Sequence, residues 1–141
     1  MSAAEQPTGH LPTRPLRVDG ETDPFWAATG EHRLVLPTCD RCGHKIWFPR
    51  EFCPECSSVD VSWVEASGRG TVYSYTVTVS GSGPWKEVAP YVLAFVDLEE
   101  GPRVLTNIVG CEPTSVTVGM AVQVVWDDTG EGHAIYRFAP A

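Results

Sequence analysis

The sequence predicts a mainly β protein in three parts: a short N-terminal helix, a four-cysteine zinc ribbon and a five-stranded barrel of the OB type. Three observations carry this. Cys39-x-x-Cys42 and Cys53-x-x-Cys56 repeat one motif with ten residues between the pairs. Between Thr71 and Phe138 five apolar or alternating segments are divided by Gly-, Pro- and Asp-rich breaks, the pattern of short strands. One compact helical signal, Asp23 to Gly30, precedes the cysteines.

A chain of 141 residues suits one core, or one core plus a small metal-stapled lobe. Eighteen acidic residues outweigh ten basic ones for a formal charge of −8, and Lys45 and Lys86 are the two lysines. Counterion release from nucleic acid needs clustered positive charge. The nearest cluster, Arg41, Lys45 and Arg50, is interspersed with Asp40, Glu51 and Glu55, so a general nucleic-acid binder is not expected. No stretch approaches the roughly 18 to 20 apolar residues of a membrane span. Four cysteines committed to a metal, Cys111 alone and no secretory leader lead us to expect the cytoplasm.

Taken in order, residues 1–21 carry Pro7, Pro12 and Pro15 without periodicity and read as a flexible arm. Residues 22–66 hold the helix and ribbon. Asp23 suits a cap, Pro24 the first helical position and Gly30 a left-handed stop. Phe25 and Trp26 are large apolar residues that pack either on the protein's own core or on a partner. Leu34-Val35-Leu36 leads into the first knuckle, and Ile46-Trp47-Phe48-Pro49 supplies an apolar plug beside the metal. A four-sulfur shell at about 2.3 Å is what tetrahedral zinc prefers, and it leaves no open position, so the site is expected to be structural. Iron takes the same four-thiolate set. Gly43 suits the turn after the first pair, and Pro54 stiffens the second. Val59, Val61 and Trp63 alternate with polar residues as in a strand leaving the lobe.

Residues 67–141 form the barrel. Gly68-Arg69-Gly70 reads as a bulge or bend opening a long strand that aligns Tyr73, Tyr75, Val77 and Val79 on one face. Tyr91 to Leu98 is nearly continuous in apolar residues, as for a strand buried on both sides. Arg103–Val109, Met120–Trp126 and Ala134–Phe138 complete five strands, which close as a Greek-key barrel. Between the third and fourth, where such barrels place a helix, Pro113 and Val116-Thr117-Val118 read as a turn.

Catalysis needs a nucleophile beside a base or paired carboxylates in a pocket. His10, His32, His44 and His133 have no evident acid or nucleophile in sequence, Cys111 has no adjacent cation, and Asp127-Asp128 beside a Gly-rich turn reads as solvated. No catalytic residue is expected on this chain. For ligand contact, the small residues of Ser80–Pro84 permit close approach, Trp85 offers a stacking face, and Lys86 a charge for a phosphate. Arg69 and Arg103 flank the barrel strands and suit the same role. Trp26, Trp47 and Phe48, with Phe25, are of the type that anchors interfaces.

Cys39-x-x-Cys-Gly, Phe48-Pro-Arg, Cys53-Pro-x-Cys-Ser-Ser, Ser67-Gly-Arg-Gly-Thr-Val-Tyr-Ser-Tyr-Thr, Pro90-Tyr-Val with Val96-Asp-Leu, Gly101-Pro-Arg and Val118-Gly-Met together resemble the DUF35 family over residues 22–138. The resemblance implies a rubredoxin-like zinc ribbon joined to an OB-fold. It implies a non-catalytic accessory subunit of a thiolase-superfamily acyl-CoA enzyme, with acyl-CoA at or near the interface and, by closed symmetry, a heterotetramer with two copies of each chain. The first setting it implies is a retro-aldol lyase acting on a steroid side-chain CoA thioester. A scaffold in another thiolase or acyltransferase complex is the second reading, and an OB-fold nucleic-acid binder the third. In the steroid system such a domain is also fused behind a MaoC-like hydratase, so a stand-alone subunit and an excised domain are both open.

Overall fold

The computed structural model describes residues 11–141; the first half of the expected arm, with His10, lies outside the described residues. Seven strands and one helix organise them. Helix α1 (Asp23–Thr29) is followed by β1 (Val35–Cys39) and β2 (Val61–Glu65), which pair antiparallel from Val35↔Glu65 to Cys39↔Val61 and carry the cysteine loop between them. Strands β3 (Arg69–Thr78), β4 (Tyr91–Leu98), β5 (Arg103–Ile108), β6 (Ala121–Asp128) and β7 (Ala134–Pro140) close into a barrel in the order β3-β4-β5-β7-β6. A short 3-10 turn, Pro113–Ser115, fills the β5–β6 connection, since proline and β-branched residues oppose a full helix there.

One core joins helix and barrel. Phe25 and Ala28 pack with inward-facing Val72, Val96, Val104, Val122 and Phe138, all buried. Full burial of one such side chain contributes roughly 1.5–3 kcal/mol, so α1 belongs energetically to the barrel although it precedes the ribbon in sequence. The metal lobe has only a small core of its own, Cys39, Ile46 and Cys53.

Four sequence expectations are corrected. Asp23 is not the cap: Thr22 holds that position, and the Asp19 carboxylate accepts from the Thr22 N–H and hydroxyl, both at 2.9 Å. Gly30 is right-handed, with φ −62°, and His32 takes the left-handed turn at φ 58°. Gly30 is needed instead because a side chain there would collide with the Gly132 carbonyl. The bulge in β3 falls between Val72 and Ser74 instead of at Gly68–Gly70, where Gly68, at φ 81°, supplies only the expected bend opening the strand. The bulge makes Tyr73 the extra residue and exposes it. Finally, β4 is not covered on both sides. Val92, Ala94, Val96 and Leu98 point inward, while Leu93 and Phe95 stand on an open outer face. Alternation was hidden because apolar residues occupy both faces.

The described part of the N-terminal arm lies against the barrel. The Pro12 carbonyl accepts from Arg137 Nη2 at 3.1 Å. Residues 12–17 line a shallow groove with Ile135 and Arg137.

Candidate metal centre and contact surfaces

The four cysteines converge. Their sulfurs all lie within 4.8 Å of one another, with Cys39–Cys56 and Cys42–Cys53 at 3.6 Å. Four ligands at about 2.3 Å from a tetrahedral ion are about 3.8 Å apart, so the donor set fits a metal and is far too open for disulfides. The knuckles arise locally. Gly43, at φ 80°, lets the first loop reverse, and its N–H donates to the Cys39 carbonyl at 2.9 Å. Ser57, at φ 66°, does the same in the second, with its N–H on the Cys53 carbonyl at 2.8 Å. The Cys42 N–H points at the Cys39 sulfur, 3.4 Å away, and this bond lowers the Cys39 thiol to about 6. Cys42 is pushed up to about 12: the His44 N–H favours its thiolate, but burial and the thiols of Cys53, Cys39 and Cys56 together outweigh it. Crowding disfavours four thiolates on their own, and a cation between them would stabilise all four, so the set is positioned for metal binding.

The aromatic residues proposed from sequence as partner anchors form an internal joint. Phe25 is fully buried and meets Trp26, Trp47 and Tyr136 edge-on, at centroid distances of 4.9, 5.5 and 6.1 Å. Trp47 and Phe48 come from the ribbon and Tyr136 from the barrel. Trp26 and Trp47 are half-buried, and Phe48 is the exposed member.

The four candidate ligand-contact residues do not converge. Trp85 leans on Tyr91 at 4.8 Å, at the start of β4, with Lys86 exposed beside it. Arg69 and Arg103 sit at the other end, about 20 Å along the strand. Each is paired: Arg69 with Glu99 at 2.8 Å, and Arg103 with Asp97 at 2.6 Å.

Two polar constellations were not legible. Asp127 is buried rather than solvated. It receives Arg137 Nε and Nη2, both at 3.3 Å, while Arg137 Nη1 donates to Asn107 at 2.7 Å. Its carboxyl is raised by burial, against the opposing pull of Arg137. His32 does have an acidic neighbour, Asp128 at 2.8 Å, and stacks on Trp126 with an interplanar angle of 8°. That contact ties the helix exit to the β6–β7 hairpin. Both partners are half-exposed, so it is worth little energetically. Neither pairing has a sequence signal, because Arg137 and His32 are 10 and 96 positions from their partners.

A four-thiolate ribbon docked on a closed five-stranded barrel defines a metal-ribbon and OB-fold protein. Residues 26–61 match the family model for the ChsH2 rubredoxin-like zinc ribbon domain and residues 63–127 that for the ChsH2 C-terminal OB-fold domain. The chain belongs to the DUF35 family. A DUF35 domain-containing scaffold protein of Methanothermobacter thermautotrophicus is 39% identical over 116 residues, covering 77% of this chain and 87% of the relative. Benzoylsuccinyl-CoA thiolase subunit BbsA of Geobacter metallireducens is 36% identical over 72 residues, 51% of this chain and 47% of the relative. A solved chain described as Ltp2-ChsH2(DUF35) aldolase matches with a TM-score of 0.80 and 36% identity, over 90% of this chain and 98% of that one. The chain spans 40% of the length of a longer relative, a probable enoyl-CoA hydratase alpha subunit of Thermomonospora curvata, which is 38% identical over 129 residues covering 91% of this chain. No helix among the described residues is long and apolar enough to cross a membrane.

Proposed function

We propose that this chain is a non-catalytic accessory subunit of a thiolase-type acyl-CoA enzyme, and that the enzyme is a retro-aldol lyase acting on a steroid side-chain CoA thioester. The observation that carries the reading is the match, along nearly the full length of both chains, to the DUF35 chain of an aldolase. The thiolase subunit among the relatives supports the class of partner. In this reading Cys39, Cys42, Cys53 and Cys56 hold a structural Zn²⁺. Filling every ligand position with sulfur gives the ion a folding role. The complex is a heterotetramer working in the cytoplasm. Lys86 and Trp85 approach the acyl-CoA where subunits meet, while the salt-bridged Arg69 and Arg103 contribute to the rim.

A scaffold role in another thiolase or acyltransferase complex is the second reading, favoured by the DUF35 scaffold relatives. A nucleic-acid role has only the barrel in its favour, and a formal charge of −8 opposes it. The test is affinity purification of the tagged chain from its native lysate, followed by assay of the recovered complex on steroid side-chain CoA thioesters. Recovery of a thiolase-fold subunit with carbon–carbon lyase activity is expected. A thiolase partner that only condenses or transfers acyl groups moves the assignment to the second reading, and recovery of nucleic acid alone sinks both.

A further inference from the structure

Resting on the accessory-subunit reading, we infer that the catalytic thiolase-type subunit docks on the outer face of β3, β4 and β5. This face gathers four of the barrel's exposed large apolar side chains. Tyr73 is 49% exposed, Leu93 38%, Phe95 42% and Leu105 47%. Phe95 lies directly across from Leu105 on one side and Ser74 on the other, so these side chains form one continuous row. Between them runs a shallow groove of about 200 Å³, with Thr76 and Tyr75 at its edge.

The same outer face continues along β5 toward β7 and β6, where Asn107 lies directly across from Leu93, and there it shows what a covered surface looks like. There Asn107, Arg137 and Asp127 project outward and are buried, and Arg137 is tied to Pro12 of the chain's own arm. Polar residues sit under a self-supplied cover, whereas Leu93, Phe95 and Leu105 stand exposed. Half-exposed Tyr, Phe and Leu side chains in this number present on the order of 400 Å². That is within the range of the largest apolar patch on a typical monomer, which is often functional, and about half of the roughly 800 Å² each partner gives to a stable interface. It is therefore the size of an interface centre, completed by the polar rim of Thr71, Ser74 and Thr76.

Charge selects the occupant. OB-folds bind oligonucleotides on this sheet face, using cations and stacking platforms. Here Arg103, the cation beside this row, is already committed, to Asp97 at 2.6 Å and to the Tyr73 ring at 3.3 Å, and among the described residues no cluster of free cations lines the face for a phosphate backbone. A second copy would bring another chain of formal charge −8 against the first, which like-charge repulsion opposes. A protein face that is apolar at its centre and neutral or basic at its edge satisfies both conditions, and the catalytic subunit is the partner that the accessory role requires.

The test is a Phe95→Asp/Leu105→Asp variant of the full chain, measured for binding to the thiolase-type subunit recovered with the wild type. The expected loss is at least about 100-fold in affinity, with thermal midpoint and zinc content as in the wild type and Val118→Asp as an unaffected control. Should the double variant misfold, Leu105→Ala replaces it, with an expected loss of about tenfold. Wild-type affinity in the folded variant overturns the inference while leaving the accessory role standing. The inference is equally overturned if the isolated chain dimerises, or binds single-stranded nucleic acid, through this face. If the wild type recovers no thiolase-type subunit, the functional reading falls first and the docking face with it.

Discussion

Replacing Arg137 with Met keeps a long side chain on β7 while removing the guanidinium that Asp127, Asn107 and Pro12 share. Asp127 and Arg137 have side chains only 10% and 7% exposed, so neither water nor another described cation compensates. Breaking a buried pair by removing one partner costs about 3–5 kcal/mol, a large part of the 5–15 kcal/mol that holds a typical domain together. The pH dependence identifies the cause. Burial already raises the Asp127 carboxyl despite Arg137 beside it, and without the cation it rises further. A carboxyl raised in the folded state contributes stability that is present below its unfolded value, about 3.9, and lost as pH climbs through the folded value. The deficit of Arg137→Met is therefore expected to deepen as pH rises from 5 to 7.5, measured by urea denaturation with zinc saturating. Adding Asp127→Asn should remove most of that slope and recover part of the loss. A deficit below about 1 kcal/mol, or one independent of pH, would refute the reasoning.

Three further outcomes are expected. Cys53→Ser leaves three of the four sulfur ligands, and metal analysis should find the ion expected at one per wild-type chain lost or weakly held; a change in tryptophan fluorescence should follow, because Trp47 leans on the buried joint. Gly30→Ala forces a methyl group onto the Gly132 carbonyl and should lower stability by about 1–3 kcal/mol, read as a fall in the thermal midpoint, where Gly20→Ala, with open space around it, should do nothing of the kind. Lys86→Ala should raise the Michaelis constant of the assembled complex for its acyl-CoA several-fold at low salt, and an unchanged constant removes that loop from the site.

The metal centre was legible because a knuckle is a local object: Cys, two residues, Cys and a turn residue specify it without reference to the rest of the chain. Strand positions were legible from the Gly and Pro breaks. What could not be read is what depends on register. The outward alternation of Leu93 and Phe95 disappears when Val92, Ala94 and Val96 are apolar too, and only the pairing of Phe95 with Leu105 reveals an open row. The partners of Arg137 are brought together by barrel closure, which no local pattern encodes. Phe25 pointed both ways in sequence, and tertiary packing placed it inside, where the helix is wedged between ribbon and barrel.

The aromatic joint has a consequence for how the molecule comes apart. Phe25 touches Trp47 on the metal side and Tyr136 on the barrel side, and its own helix shares the barrel core. Trp47 also meets Tyr136 directly, and Leu34, Val35 and Leu36 share that core, so the two lobes are not expected to melt independently. Loss of the ion is expected to pull down the melting temperature of the barrel, which has no metal ligand of its own, and calorimetry should record one transition rather than two. Metal shortage would then deplete the whole folded chain and not the ribbon alone, so metal supply would set how much of the protein stays folded.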